Sequence, residues 1–205
     1  MKPARRHLIL ASFAVGLLIF APGIAGLAQA QTTPPPLATP TIAPLAAADV
    51  RPELKDLLPQ QVLVGKTRLT VWGFQVYDAK LWAPPGVTAG QLPSQPFALE
   101  LAYLRDFDNA DIAARSLVEM RRSASISPAQ AEAWTAAMLR VFPMVKKGDR
   151  LTGVNQPGVG ALFLFNGKPA GEIRDTEFAR LFFGIWLSDK TSEPRMREAL
   201  LAGAR

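Results

Sequence analysis

The stretch RLTVWGFQVYDAKLW, Arg68 to Trp82, decides how this chain is read. It crowds two tryptophans, a phenylalanine and a tyrosine together. Side chains along a strand alternate faces, so Trp72, Phe74 and Val76 share one side. From Tyr77 onward the apolar positions change parity to Tyr77, Ala79 and Leu81, and the apolar face switches near Val76–Tyr77. Such a strand both fills a core and walls a pocket, and the remaining elements follow from where its faces point.

Working outward, Val62–Val64 and Thr67–Trp82 read as strands separated by a turn at Gly65-Lys66. Phe97–Phe107 alternates again, placing Leu99, Leu101, Tyr103, Arg105 and Phe107 on one face. A helix over about Ala110–Arg122 carries Ile112, Ala113, Ser116, Leu117 and Met120 along one stripe. A second helix opens at Ser127-Pro128-Ala129-Gln130, a capping box with proline at the first helical position, and stops at Pro143. Arg150–Val154 and Gly160–Phe165 read as strands, and Asn166-Gly167 is a tight-turn signal leading into Ala170–Ile173. Asp175 caps a third helix whose Phe178, Leu181, Phe182, Ile185 and Trp186 form a buried stripe. A last short helix begins near Pro194. Strands, two helices, a hairpin and two helices make an α+β pattern with an antiparallel sheet.

The N-terminus reads as an export signal: Lys2, Arg5 and Arg6, then an apolar run from Leu8 to Phe20, then the small-x-small site Ala28-Gln29-Ala30. Residues 1–30 are expected to be removed, residues 31–57 to form a Pro/Ala-rich linker with a short helix around Arg51–Leu58, and residues 58–205 to form the domain. The location expected is periplasmic, with no stable membrane span after cleavage. Three of the 23 basic residues leave with the signal and none of the 17 acidic ones, so the remaining chain is only weakly basic. No Lys/Arg run interleaves with aromatics, which argues against a nucleic-acid partner.

The single histidine, His7, lies inside the signal, and the chain has no cysteine. Ser-His-Asp and Cys-His nucleophilic sites are therefore excluded, as are His- or Cys-ligated zinc, iron–sulfur clusters and haem. No cofactor is expected. Gly65-Lys66-Thr67 lacks the upstream glycine of a phosphate-binding loop, because Gln60 stands there. Asp106, Asp108 and Asp111 lack the glycine of a calcium loop and suit a helix N-terminus instead. Tyr103 and Arg105 share a strand face with Leu99 and Leu101. Inward, they would clamp a carboxylate; outward, Arg105 would reach solvent over its apolar stem.

Three stretches, LVGKTRLTVWGFQVYDAKLWAP, FALELAYLRDFDNADIAARSLVEMRR and FFGIWLSDKTSEPRMREALL, resemble the chalcone isomerase-like family of exported bacterial proteins. The resemblance implies a large antiparallel sheet carrying a layer of helices, with an apolar cleft between them. Plant members cyclise chalcones and related members bind fatty acids. Of the plant catalytic positions, the arginine corresponds to Arg68. The strand threonine falls at Trp72, the helix tyrosine and asparagine at Ile112 and Glu119, and the late Ser/Thr at Ile185. One position in five is kept, so chalcone cyclisation is not expected.

The expectation is a non-catalytic exported protein that binds a small apolar, fatty-acid-like molecule. Arg68 would pair with its anion, and Trp72, Phe74, Ile112 and Trp186 would shape the cleft. Two alternatives stand beside it: an isomerase or lyase using Arg68 as electrophile and Glu119 as base, and an interaction protein of the cell envelope whose cleft is filled by its own side chains.

Overall fold

The computed structural model describes residues 51–204. The expected signal, its cleavage site and most of the proline-rich linker lie outside them. Six strands run in sequence order across one antiparallel sheet. They are β1 (Val62–Val71), β2 (Phe74–Ala83), β3 (Phe97–Tyr103), β4 (Arg150–Gln156), β5 (Gly160–Phe165) and β6 (Lys168–Ile173). Helices α1 (Asn109–Met120) and α2 (Pro128–Val141) sit between β3 and β4, and α3 (Thr176–Leu187) and α4 (Pro194–Leu200) follow β6. The α+β class and the helix-covered sheet expected from sequence are what the chain adopts.

The aromatic stretch is not one strand. The chain reverses at Trp72-Gly73, whose φ angles are +50° and +81°. A two-residue hairpin with positive φ at both positions is the type I′ turn, which matches the twist of the flanking strands. Trp72 therefore belongs to a turn, and Val76 is a bulge in β2, since Leu69 pairs with Tyr77 and Thr70 with Gln75, so the strand changes parity there and Phe74, opposite Val71, returns to the face of Tyr77. Gly65, read as a turn residue, lies inside β1 instead. The carbonyls at the end of α4, on Ala199 and Leu200, fill the space a Cβ there would take.

The helix-facing side of the sheet holds the main core. Ala79, Leu81, Leu99, Leu101 and Phe163 meet Met120, Met138, Phe178, Leu181 and Phe182. Its centre is aromatic: the Phe142 and Phe163 rings lie 5.0 Å apart edge-on, and Phe163 and Phe182 5.3 Å. Edge-to-face rings place positive edges against negative faces and add to the area they bury. Local signals set the helix starts. The Ser127–Gln130 capping box forms as read. Asp175 accepts from the Phe178 N–H at 2.9 Å with one oxygen and from Trp134 Nε1 at 2.9 Å with the other, tying α3 to α2.

The opposite side carries a smaller core, where Leu54 and Leu58 cover Trp82, Ala98, Val154 and Leu164. The short 3-10 turn Pro52–Leu54 delivers them. Residues 51–58, which straddle the expected linker boundary, are thus packed on the sheet. Beside them Glu100, with only 2% of its side chain exposed, accepts from Arg51 Nε at 2.9 Å and Nη2 at 2.8 Å and from Arg150 Nη1 at 2.7 Å. A carboxylate buried beneath apolar cover is tolerable only with such partners.

Candidate functional site: a groove beside helix α3

The nine residues singled out from sequence fall into two groups. Arg68, Trp72, Phe74 and Arg105 lie at the hairpin end of the sheet, in solvent. Arg68 pairs across the hairpin with Asp78, and the row continues to Ala102 and Arg150, on the side away from the helices. Its guanidinium forks onto Asp78, with Nη2–Oδ2 at 2.8 Å, and Nη1 donates to Gln75 Oε1 at 3.0 Å. That partnership holds the Asp78 carboxyl below the usual range. Arg68 therefore does not enter the space between sheet and helices. The reason is register: once the chain turns at Trp72-Gly73, Arg68 shares parity with Asp78, not with Tyr77. Trp72 and Phe74 are 56% and 59% exposed, and the Arg105 guanidinium rests 4.8 Å from the Phe74 ring centre. β3 ends at Tyr103, so Arg105 follows the exposed loop and not the inward face.

Tyr103, Ile112, Glu119, Ile185 and Trp186 do lie under the helical layer or against it. Trp186 Nε1 donates to the Tyr77 hydroxyl at 2.9 Å, and the Tyr77 and Tyr103 rings meet edge-on at 6.1 Å. Burial above all, with the charges of Glu193 and Glu119 adding, pushes the Tyr77 phenol up to about 12. Burial next to Tyr77 raises Tyr103 as well. Glu119 is buried on α1 and ion-paired to Arg115 one turn away, with Arg122 Nε at 3.8 Å from its other oxygen. This region is packed by its own side chains, and Glu119 is committed to arginine.

The open space lies elsewhere. A groove of about 600 Å³ runs between α3 and the segment joining β2 to β3. The second face of α3 forms one wall, with Ala179, Phe183 and Leu187. Leu92 and Phe97 form the other, and Phe97 meets Phe183 edge-on at 4.8 Å. Asn155, at the end of β4, holds the far wall by donating to Gln95 O at 3.0 Å and Pro93 O at 3.4 Å. Near Gly184 the hydroxyls of Ser123 and Ser188 stand 3.4 Å apart. The wall also holds Gln156, whose Oε1 is buried with no hydrogen-bond partner. Ala179, Phe183 and Leu187, spaced i, i+4, i+8, were missed because the stronger stripe of Phe178, Leu181, Phe182, Ile185 and Trp186 accounted for α3. A helix apolar on both faces is the signal that would have found them, since both faces then need cover.

A six-stranded antiparallel sheet with helices on one face defines an α+β scaffold. The chain belongs to the chalcone isomerase-like family, whose model matches residues 62–202. Its fold is similar to that of a fatty-acid binding protein of Arabidopsis thaliana. The two share 10% identity and a TM-score of 0.57, over 71% of this chain and 89% of that one. At that identity the likeness is one of fold. No curated protein sequence matches the chain. Among the described residues, no helix is long and apolar enough to cross a membrane.

Proposed function

We propose that this protein is an exported, non-catalytic carrier of a small apolar, single-chain molecule, held in the groove between α3 and the β2–β3 segment. The observation that carries the reading is the groove itself. Its walls are Leu92, Phe97, Ala179, Phe183 and Leu187, and its volume falls within the range of about 300–1,000 Å³ common to small-molecule sites. The fatty-acid binding neighbour supports an acyl-like occupant, and the sequence of the first 30 residues supports export to the periplasm. Arg68 has no part in this site.

The test is direct. Purified protein is extracted with organic solvent and the extract examined by mass spectrometry, and the protein is then titrated with a fluorescent acyl probe. Saturable binding that is abolished in Gly184→Phe, which fills the groove from its wall, is the expected result. Unchanged binding in that variant would place the ligand elsewhere, and absence of binding would end the carrier reading.

A further inference from the structure

We propose that the tip of the β1–β2 hairpin docks on a lipid bilayer, with Trp72 and Phe74 seated at the boundary between headgroups and acyl chains. This stands independently of the groove reading.

The turn itself is the first observation. Trp72 takes the left-handed backbone that asparagine and glycine adopt at low cost. The fold gives little in return. The indole is exposed, and among the described residues it meets no ring or cation and its Nε1 makes no hydrogen bond. A bulky residue held in a strained state without internal partners points to a use outside the fold. Phe74 beside it is exposed too, and a Cβ on the intervening Gly73 would meet nothing within 4 Å. The two rings stand on a convex point.

Neighbouring loops extend the same chemistry. The Leu104 N–H donates to Val76 O at 2.9 Å, and Phe107 and Val145 exchange backbone bonds of 2.9 and 3.0 Å, which brings residues 143–149 to this end of the sheet. Met144 there is exposed, so three of the five exposed large hydrophobic residues among those described gather at one end. Arg105, Lys146 and Lys147 are exposed on these loops and form no ion pair among the described residues. The carboxylates of Asp106 and Asp149 are turned onto the backbone N–H groups of Lys147 and Lys146, each at 2.8 Å. Only Asp108 adds a further acid there, at the start of α1.

A bilayer suits this combination. Tryptophan places an apolar body among acyl chains and leaves its N–H near water, and long cationic side chains around an apolar tip reach phosphates. A fluid surface also accepts a convex point without a matching cavity. A protein partner of standard size covers about 800 Å² a side, more than three side chains present. β3 runs from Phe97, in the groove wall, to Tyr103, beside the hairpin. At about 3.3 Å per residue the groove stands roughly 20 Å from the docking end, so it stays open when the tip is seated.

The experiment uses intrinsic fluorescence. Of the four tryptophans, Trp82, Trp134 and Trp186 are buried, so emission changes report on Trp72. The full chain is mixed with vesicles of phosphatidylcholine and phosphatidylglycerol. Residues 8–20 are themselves apolar, so affinities are compared between variants of the same chain. Emission should shift to the blue and be quenched by lipids brominated on their acyl chains. Trp72→Asn and Phe74→Ser should each weaken co-sedimentation about tenfold, and Arg105→Gln about fivefold, with unfolding curves showing each variant folded. Emission that vesicles neither shift nor quench overturns the proposal. So does undiminished binding in Trp72→Asn and Phe74→Ser, which would place the contact elsewhere in the chain. A blue shift that grows with protein concentration without vesicles would assign the tip to a second copy instead, and would equally overturn it.

Discussion

Trp186 Nε1 donates a hydrogen bond of 2.9 Å to the hydroxyl of Tyr77, joining the last turn of α3 to the second strand of the sheet. It satisfies an indole N–H that would otherwise be buried alone, and it fixes the Tyr77 ring against Tyr103.

The two residues in that contact are the whole tyrosine content of the chain, so phenolate absorbance reports on them alone. Burial raises both pKa values in the folded state, to about 12 for Tyr77. A group whose folded pKa is raised contributes stability that is intact below the unfolded pKa of about 10 and is lost as pH climbs towards the folded value. The native protein should show little phenolate at pH 10, whereas the denatured protein titrates near there. A native titration midpoint at pH 10 would mean that these hydroxyls are solvated.

Glu100 anchors residues 51–58 to the sheet through Arg51 and Arg150. Glu100→Gln leaves two arginines facing a neutral amide, and the loss should be about 3 kcal/mol, at the low end for a broken buried pair because both arginines reach solvent. Chemical denaturation measures the loss. Limited proteolysis should show earlier cleavage around residues 51–58 in the variant. Unchanged stability would mean that Leu54 and Leu58 hold the segment without the charges.

Trp72 occupies the left-handed region at the first position of the type I′ hairpin turn. A bulky side chain there is strained by roughly 1–2 kcal/mol, and asparagine is favoured at such positions. Trp72→Asn should therefore raise the unfolding midpoint by about 1 kcal/mol of stability. A destabilised variant would show that the exposed indole makes contacts that outweigh the strain.

Gly184 stands in the α3 wall, and a Cβ there would meet only Ser188 Cβ at 3.6 Å and Ser123 Oγ at 4.0 Å, both ordinary contacts. Gly184→Ala should stabilise α3 by about 0.5–1 kcal/mol through helix propensity, with little change in ligand affinity. Gly65→Ala should do the reverse, since its Cβ would collide with backbone carbonyls at the end of α4. Thermal unfolding of the pair measures both signs at once.

Two turns show what could be read from the chain alone. Asn166-Gly167 and Trp72-Gly73 adopt matching backbones, with φ of +50° and +82° in the first and +50° and +81° in the second. The first was legible because asparagine and glycine tolerate positive φ, and the residues announce the turn. The second was hidden because tryptophan belongs by preference to strands, so the local signal contradicted the structure. The family resemblance assigned Arg68 and Trp72 to a cleft, whereas the reversal leaves both exposed at the hairpin end of the sheet.

The sequence by itself determined the order of elements, the capped starts of α2 and α3, the core stripes of the helices and the family. These depend on contacts within a few residues and on the periods of helix and strand. Tertiary structure decided which face of the sheet the helices cover, where Arg68 finds its partner, and where space is left beside α3. Alternation fixes only that neighbouring side chains point apart. Which side becomes interior depends on helices far along the chain, and a void exists only where several distant surfaces fail to meet.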